Sequence, residues 1–134
     1  MSSAPLVATH ACAHAICSST RNLTDKQLDA IRGSDGLVGV NFSVNDVRPD
    51  AEDNADTPLH MLTRHFHYLI DRIGIDRVAI GSDFDGATIP AAIKDASGLP
   101  NLIAELRAGG LDDECVRKIA FDNWMRVFRL TWRS

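Results

Sequence analysis

Several features are scarce or missing in this 134-residue sequence. It contains only three cysteines, Cys12, Cys17 and Cys115, and none of them form a CxxC pair. An odd number at this spacing argues against a disulfide framework and against a thiol-based redox or metal motif. We therefore expect a reducing, cytoplasmic setting, with the cysteines packed as small apolar groups.

Long apolar runs and clusters of positive charge are also missing. The first nineteen residues lack the basic segment of a signal peptide, and no run reaches the roughly 18 apolar residues of a membrane span. The formal net charge is −4, and the basic residues are scattered. Scattered basic residues argue against nucleic acid as a partner. We expect no membrane segment and no nucleic-acid partner.

What is present is the pattern of an α/β domain. Three short apolar runs, residues 5–9, 37–42 and 78–80, predict strands, and near-continuous apolar character is typical of a sheet covered on both faces. A capping box at Thr24–Gln27 predicts a helix start, and Thr57 with Pro58 predicts another. Further helices are predicted at 99–108 and at about 112–132. Alternating strands and helices favour a parallel sheet.

Three strands are too few to close a (β/α)8 barrel, which needs eight strands and about 250 residues. The alternatives are a small open α/β sheet or the last portion of a longer barrel. In either case the carboxyl ends of the strands are where such folds place their chemistry. Those ends carry His10, Asn41 and Asp83.

Each candidate residue has two interpretations on pattern alone. His10 is either a metal ligand or a structural histidine, and a helical pairing with His14 is weak because a strand ends there. Asp83 and Asp85 are either working carboxylates or parts of an Asp-Gly turn. Arg21 could clamp a substrate carboxylate, although a solvent-exposed arginine is the default. The other histidines, His60, His65 and His67, are expected to be surface or packing residues.

Six short motifs in a fixed order resemble the C-terminal part of the membrane (renal) dipeptidase family of zinc peptidases. The motifs are Thr9-His10, RNLTD at 21–25, VGVNF at 38–42, GSDFDG at 81–86, LPNL at 99–102 and NWMRV at 123–127. The resemblance covers almost the whole chain. It implies that residues 1–134 form one partial domain, about strands 6–8 with their helices, of a metal-dependent-hydrolase (β/α)8 TIM barrel.

The resemblance also implies an activity and roles. The family binds two zinc ions and hydrolyses dipeptides, including those with a C-terminal D-residue. His10 matches a zinc-binding histidine at the end of the sixth strand. Arg21 matches the arginine that contacts the substrate's terminal carboxylate. Asp83 matches the eighth-strand aspartate beside the reacting water and the substrate amine, where it acts either as base or as amine anchor.

Two departures from the family pattern shape the expectation. Ala11 stands where the family usually has Ser, a change that removes no ligand. The family's first-strand His-x-Asp, its bridging glutamate and its fifth-strand histidine have no counterpart, and a catalytic zinc usually needs three protein ligands. We therefore expect the isolated chain to be inactive and to self-associate through exposed barrel edges. The alternative hypothesis is a non-catalytic α/β interaction module that assembles with another chain.

Overall fold

The computed structural model describes residues 6–18, 22–48, 50, 56–82, 90 and 98–133. Strands and helices alternate, as the sequence predicts. The elements are β1 Val7–Ala11, α1 Asp25–Gly33, β2 Leu37–Asn41, α2 Val44–Val47, α3 Leu59–Ile73, β3 Val78–Ser82, α4 Leu99–Ala108, α5 Asp113–Arg117 and α6 Asn123–Arg133. A 3-10 turn, Ile75–Arg77, leads into β3, and a π-helical turn, Lys118–Asp122, joins α5 to α6.

The three strands form one parallel sheet in the order β1-β2-β3. Strand order therefore follows chain order, as in a barrel wall, and lacks the reversal of a doubly wound sheet. The prediction of a parallel α/β fold is confirmed. Parallel pairing also places the carboxyl ends of all three strands at one edge of the sheet.

Both strand pairs change register near that edge. Ala8 pairs with Val38 and Ala11 with Val40, so Thr9 and His10 together lie opposite Gly39. In the second pair, Val40 lies opposite Ile80 but Asn41 lies opposite Ser82, which leaves Gly81 as the extra residue. Such bulges bend a strand and often lie beside active sites. Here they lie at Thr9 and His10 in β1 and at Gly81 in β3, two residues before Asp83 in the sequence.

The main core lies between one face of the sheet and the helices. Val38, Val40 and Val78 alternate along their strands on this face and are fully buried. Helices α1, α3 and α4 cover them with Leu28, Ile31, Leu62, Phe66, Leu69, Ile73, Leu102 and Leu106. Burying each large apolar side chain contributes about 1.5–3 kcal/mol, so this layer is the main source of stability.

A smaller cluster lies on the opposite face of the sheet. Leu37 and Ala79 are out of phase with the valines of the main core, and Val127 of α6 packs against both. Trp124 joins the cluster, and its indole Nε1 donates to the carbonyl oxygen of Ile80 at 3.1 Å. Helix α6 therefore covers the sheet face that α1, α3 and α4 leave open.

Local capping signals explain where several elements begin and end. Thr24 and Gln27 form the predicted capping box, with Gln27 N–H donating to Thr24 Oγ1 at 3.3 Å and Thr24 N–H to Gln27 Oε1 at 2.9 Å. Gly74 ends α3 at φ 94°, a conformation that favours glycine. At Gly36, an added Cβ would lie 1.9 Å from the carbonyl oxygen of Leu6. Glycine there lets the β1 and β2 backbones meet.

Four features of the secondary structure differ from the sequence-based expectation. β1 continues through His10 to Ala11, because its pairing with β2 extends past the bulge. Pro58 is the N-cap of α3, one residue later than expected, since Thr57 instead accepts a hydrogen bond from Arg48 Nη1 at 3.1 Å. The short helix α2 was not predicted. The helix predicted at 112–132 is divided by the π-helical turn.

No helix in the part of the chain that the structure describes is long and apolar enough to cross a membrane.

Candidate functional site

The candidate site is the edge at which β1, β2 and β3 end. His10 is the penultimate residue of β1, and its backbone lies in the bulge. Its side chain lies outside the described part of the structure. Arg21 and Asp83 also lie outside the described residues. Their neighbours in the sequence, Asn22 and Ser82, belong to the loop after β1 and to the end of β3.

Asn41 joins the ends of two strands. It is fully buried, and its Oδ1 accepts a hydrogen bond from the Ser43 amide at 2.9 Å, which turns the chain from β2 into α2. Its carbonyl oxygen accepts a hydrogen bond from Cys12 Sγ at 3.1 Å. These contacts hold the carboxyl ends of β1 and β2 together, two residues beyond His10. Asn41 is thus part of the framework of the edge.

The loop after β1 is closed by Asn22. Its Oδ1 accepts from the Cys12 amide at 3.1 Å, and its Nδ2 donates to the Cys17 carbonyl at 3.0 Å. The backbone adds a second closure, since Leu23 N–H donates to Cys12 O at 2.9 Å. The residue that follows Arg21 is therefore bonded to the residue that lies two positions after His10.

His65 of α3 makes hydrogen bonds to the segments that follow β1 and β2. It is fully buried, its Nδ1 accepts from the Ala13 amide at 3.1 Å, and its Nε2 lies 2.8 Å from the Val47 carbonyl oxygen. Because Nδ1 is an acceptor here, Nε2 carries the proton and donates, and the ring is neutral. His65 therefore joins the segments that follow β1 and β2. The sequence left His65 as a surface or a packing residue. The structure shows it buried, with two hydrogen-bond partners that nothing in the sequence indicated.

Metal-binding capacity is limited in the described part of the chain. No group of three or more His, Cys, Asp or Glu side chains there could hold a metal ion. Among the predicted site residues, His10 of β1 is the one expected to be a zinc ligand. Imidazole is an ordinary zinc ligand, but one donor is fewer than a zinc site requires. His10 therefore fits part of a zinc site and not a whole one.

Three groups whose pKa is shifted, Tyr68, Asp112 and Cys115, lie on helices or at a helix start. A hydrogen bond to Asp25 raises the pKa of Tyr68 above its ordinary value of 10.0. Desolvation raises the pKa of the Cys115 thiol. The Cys115 amide lowers the pKa of the Asp112 carboxyl, the N-cap of α5, by hydrogen bonding. Cys12, Cys17 and Cys115, all in the described part of the chain, are not joined by disulfides.

Comparison of this chain with known proteins identifies the family to which it belongs. The model of the membrane dipeptidase family (peptidase family M19) matches residues 1–132. An uncharacterized protein from the pqqA 5' region of Klebsiella pneumoniae is 52% identical over 130 residues, which is 97% of this chain. The chain belongs to the membrane dipeptidase family.

Solved structures agree in fold. A metallopeptidase from Rhodobacter sphaeroides, liganded with a phosphinate mimic of the dipeptide L-Ala-D-Ala, is 51% identical over 96% of this chain, with a TM-score of 0.95. A dipeptidase of family M19 is 50% identical over 99% of the chain, with a TM-score of 0.97. The α/β fold is therefore that of M19 dipeptidases, and the family implies a metal cofactor.

The chain is shorter than these proteins. It spans 48% of the length of the Klebsiella relative, and 37% and 39% of the two solved chains. We therefore assign the activity, substrates and partners of such longer proteins to this chain only as a proposal.

Proposed function

We propose that this chain provides the substrate-binding edge and part of the metal site of a zinc dipeptidase, built on strands 6–8 of a (β/α)8 barrel. The observation that carries the proposal is the parallel sheet, in which the carboxyl ends of β1, which contains His10, and of β3 lie at one edge. Asp83 is the next residue in the sequence after β3. The close fit to a metallopeptidase liganded with a dipeptide mimic supports this assignment.

In this proposal His10, Arg21 and Asp83 act on different parts of the reaction. The imidazole of His10 holds a zinc ion, and the guanidinium of Arg21 binds the C-terminal carboxylate of the dipeptide through paired hydrogen bonds. Asp83 either accepts a proton from the attacking water or binds the substrate ammonium. Zinc, when bound, supplies Lewis acidity at the scissile carbonyl and acidifies a water. The catalytic machinery is completed by donors that this 134-residue chain does not itself supply.

The first test uses the chain as it stands. We expect no turnover of L-Ala-D-Ala and less than one tightly held zinc per chain, because the resemblance gives this chain one zinc ligand, His10. The measurements are zinc content by mass spectrometry after gel filtration and release of free alanine. Turnover with close to two zinc ions per chain would show that other ligands exist and would contradict this assignment.

The second test supplies the rest of the barrel. In a chimaera, this chain replaces the matched segment of the Rhodobacter metallopeptidase, and hydrolysis of L-Ala-D-Ala is measured. We expect activity, and a loss of more than about 100-fold in kcat/KM with one zinc released in His10→Ala, since even the partners of ligands are worth 10–100-fold. His60→Ala, an exposed histidine of α3, is the matched control.

The substrate-binding residues are tested in the same chimaera. Arg21→Ala should raise KM by about 10–100-fold with a small change in kcat, as expected for loss of a charge-assisted contact. Asp83→Asn should lower kcat if Asp83 is the base, or raise KM if it anchors the amine. Arg64→Ala and Asp71→Asn, both exposed on α3, are the controls. An inactive wild-type chimaera, properly folded and zinc-loaded, would refute the proposed function.

A second candidate function is assembly with another chain. Among the described residues β1 and β3 each pair on one side only, and the apolar side chains of Leu6 and Val7 at the start of β1 are 50% and 40% exposed. Such an edge favours strand pairing between chains. Light scattering after gel filtration should show self-association that Val7→Lys weakens. A monomer at all concentrations would exclude it.

A further inference from the structure

His65 is a buried titratable side chain to which the proposed function assigns no task. It is fully buried on α3, its Nδ1 accepts the Ala13 amide hydrogen at 3.1 Å, and its Nε2 lies 2.8 Å from the Val47 carbonyl oxygen. Ala13 belongs to the loop after β1, and Val47 is the last residue of α2, which follows β2. One ring therefore connects two segments at the carboxyl edge of the sheet.

These two contacts fit only one protonation state of the ring. A backbone amide can only donate and a carbonyl oxygen can only accept, so Nδ1 is bare and Nε2 carries the hydrogen. A second proton, on Nδ1, would set a ring N–H against the Ala13 N–H and bury a positive charge. An unpaired buried donor and a desolvated charge both cost free energy. The closed arrangement therefore disfavours the imidazolium form.

Ala13 is well connected within its own loop. Its carbonyl oxygen accepts hydrogen bonds from the Ile16 and Cys17 amides, both at 3.1 Å, and it forms a parallel bridge with Leu23. None of these contacts includes His65. The loop can therefore leave the ring while its own hydrogen bonds remain, and the ring then becomes accessible to water.

Other titratable groups lie near in sequence to His65 and to its two partners. On the loop, on α2 with the residue after it, and on α3, they are Cys12, His14, Asp46, Arg48, His67 and Tyr68. Arg48 pairs with Asp50 at 2.8 Å and stays cationic at every pH used below. Besides His65, His14 and His67 are the members of this set that titrate near neutral pH. Both are therefore controls in the experiments.

We propose that His65 is a proton-sensitive latch at the carboxyl edge of the sheet. The neutral ring holds the loop after β1 to the end of α2, and a second ring proton releases the loop. Both segments border the edge that carries the candidate site, so acidification loosens that edge. The inference goes beyond the proposed function and does not depend on it, because it concerns an equilibrium of this chain alone.

The direction of the pH effect follows from which form binds the proton. An exposed imidazole takes up a proton at about pH 6.5, and the closed ring does not. The closed form is therefore fully favoured above about pH 6.5, and opening grows as the pH falls below that value. Uptake of one proton in the open form alone raises the opening constant about fourfold between about pH 8 and about pH 6.

The first experiment measures amide hydrogen exchange by NMR on the 134-residue chain at these two pH values. Dividing each rate by the intrinsic rate at that pH gives the opening constant. At the Ala13 amide it should be about fourfold larger at the lower pH, and at Val38 of β2 it should be the same at both. No change at Ala13, or an equal change at Val38, would overturn the proposal, since proton uptake would then act nowhere or on the whole fold.

Substitutions test whether His65 is the group that titrates. His65→Gln offers an acceptor and a donor but does not ionise, so the opening constant at Ala13 should become independent of pH. His14→Gln and His67→Gln should keep the fourfold change, as should His60→Gln at an exposed position of α3. A pH effect that persists in His65→Gln, or disappears in His14→Gln, would overturn the assignment to His65.

A measurement on the unsubstituted chain covers the case in which His65→Gln does not fold. Nitrogen-15 chemical shifts of the imidazole rings distinguish the two neutral tautomers from the imidazolium. The closed form of His65 should show the tautomer protonated at Nε2, and any imidazolium signal should accompany loss of protection at Ala13. An imidazolium at His65 beside a fully protected Ala13 amide would overturn the latch, as would the tautomer protonated at Nδ1.

Discussion

Arg126 Nη2 lies 3.1 Å from the carbonyl oxygen of Gly36, a residue 90 positions earlier in the chain. The same nitrogen lies 3.0 Å from the carbonyl oxygen of Asp76, and Nη1 lies 3.0 Å from that of Asp35. One guanidinium on α6 thus binds both turns that lead into β2 and β3. These turns lie at the amino ends of the strands, where barrel folds place stability and not chemistry.

Replacing Arg126 should therefore reduce stability without changing the site edge. Arg126→Ala removes hydrogen bonds to three carbonyls and the ion pair with Asp35, at 3.3 Å. We expect the free energy of unfolding to fall by about 1.5–3 kcal/mol, the usual worth of hydrogen bonds to a charged group. Urea denaturation measures it, with Arg129→Ala, exposed on the same helix, as control. Equal midpoints for the two variants would contradict the assigned role.

Asn123 makes a second connection between α6 and the start of β3. Its Nδ2 donates to the carbonyl oxygens of Ile75 and Val78, both at 2.7 Å, and the residue is 3% exposed. Asn123→Ala should lower the free energy of unfolding by about 1–3 kcal/mol, because buried acceptors lose their donor. The check is again urea denaturation, compared with Asn101→Ala. A loss below about 0.5 kcal/mol, the range of ordinary surface changes, would refute it.

His65 should be sensitive to loss of its ring nitrogens at nearly constant volume. His65→Phe leaves the buried Ala13 N–H and Val47 carbonyl without their present partner, so we expect the free energy of unfolding to fall by about 2–4 kcal/mol. Thermal and urea unfolding measure this loss. His60→Phe on the exposed side of α3 should change little. Similar stability of the two variants would show that His65 acts only by packing.

Tyr68 is the only tyrosine in the sequence, so its ionisation can be followed directly by absorbance near the phenolate band. The pKa of Tyr68 should lie above 10.0, because its hydroxyl donates to Asp25. A raised folded-state pKa means that this contribution is fully present below about pH 10 and is lost as pH rises through the folded value. Asp25→Asn should lower the pKa. An unshifted titration would contradict the contact.

Much of the fold was predictable from local patterns. The Thr24–Gln27 capping box, the apolar run of β2 and the alternation of strands with helices each depend on near neighbours in sequence, and each was confirmed. The start of α3 was misplaced by one residue because Thr57 hydrogen-bonds to Arg48 instead of capping the helix. Distant partners override local propensity in such cases.

The candidate site was only partly predictable. His10 was expected just beyond a strand, and the structure places it within β1 at a bulge, because strand pairing extends past it. The roles of His10, Arg21 and Asp83 remain predictions from family resemblance. The connecting roles of Asn22 and His65 could not be predicted from short sequence motifs, because their partners lie 10 and 52 positions away in the sequence.

The amino-acid sequence by itself determined the order of strands and helices and the family, because capping, hydrophobic periodicity and motif order are local properties of the chain. Only the tertiary structure decided which polar side chains join the segments. Arg126, Asn123, Asn22 and His65 each satisfy buried or partly buried backbone groups across large sequence separations. Such pairings follow from the requirement that buried polar groups find partners, which can be met only once the elements have packed.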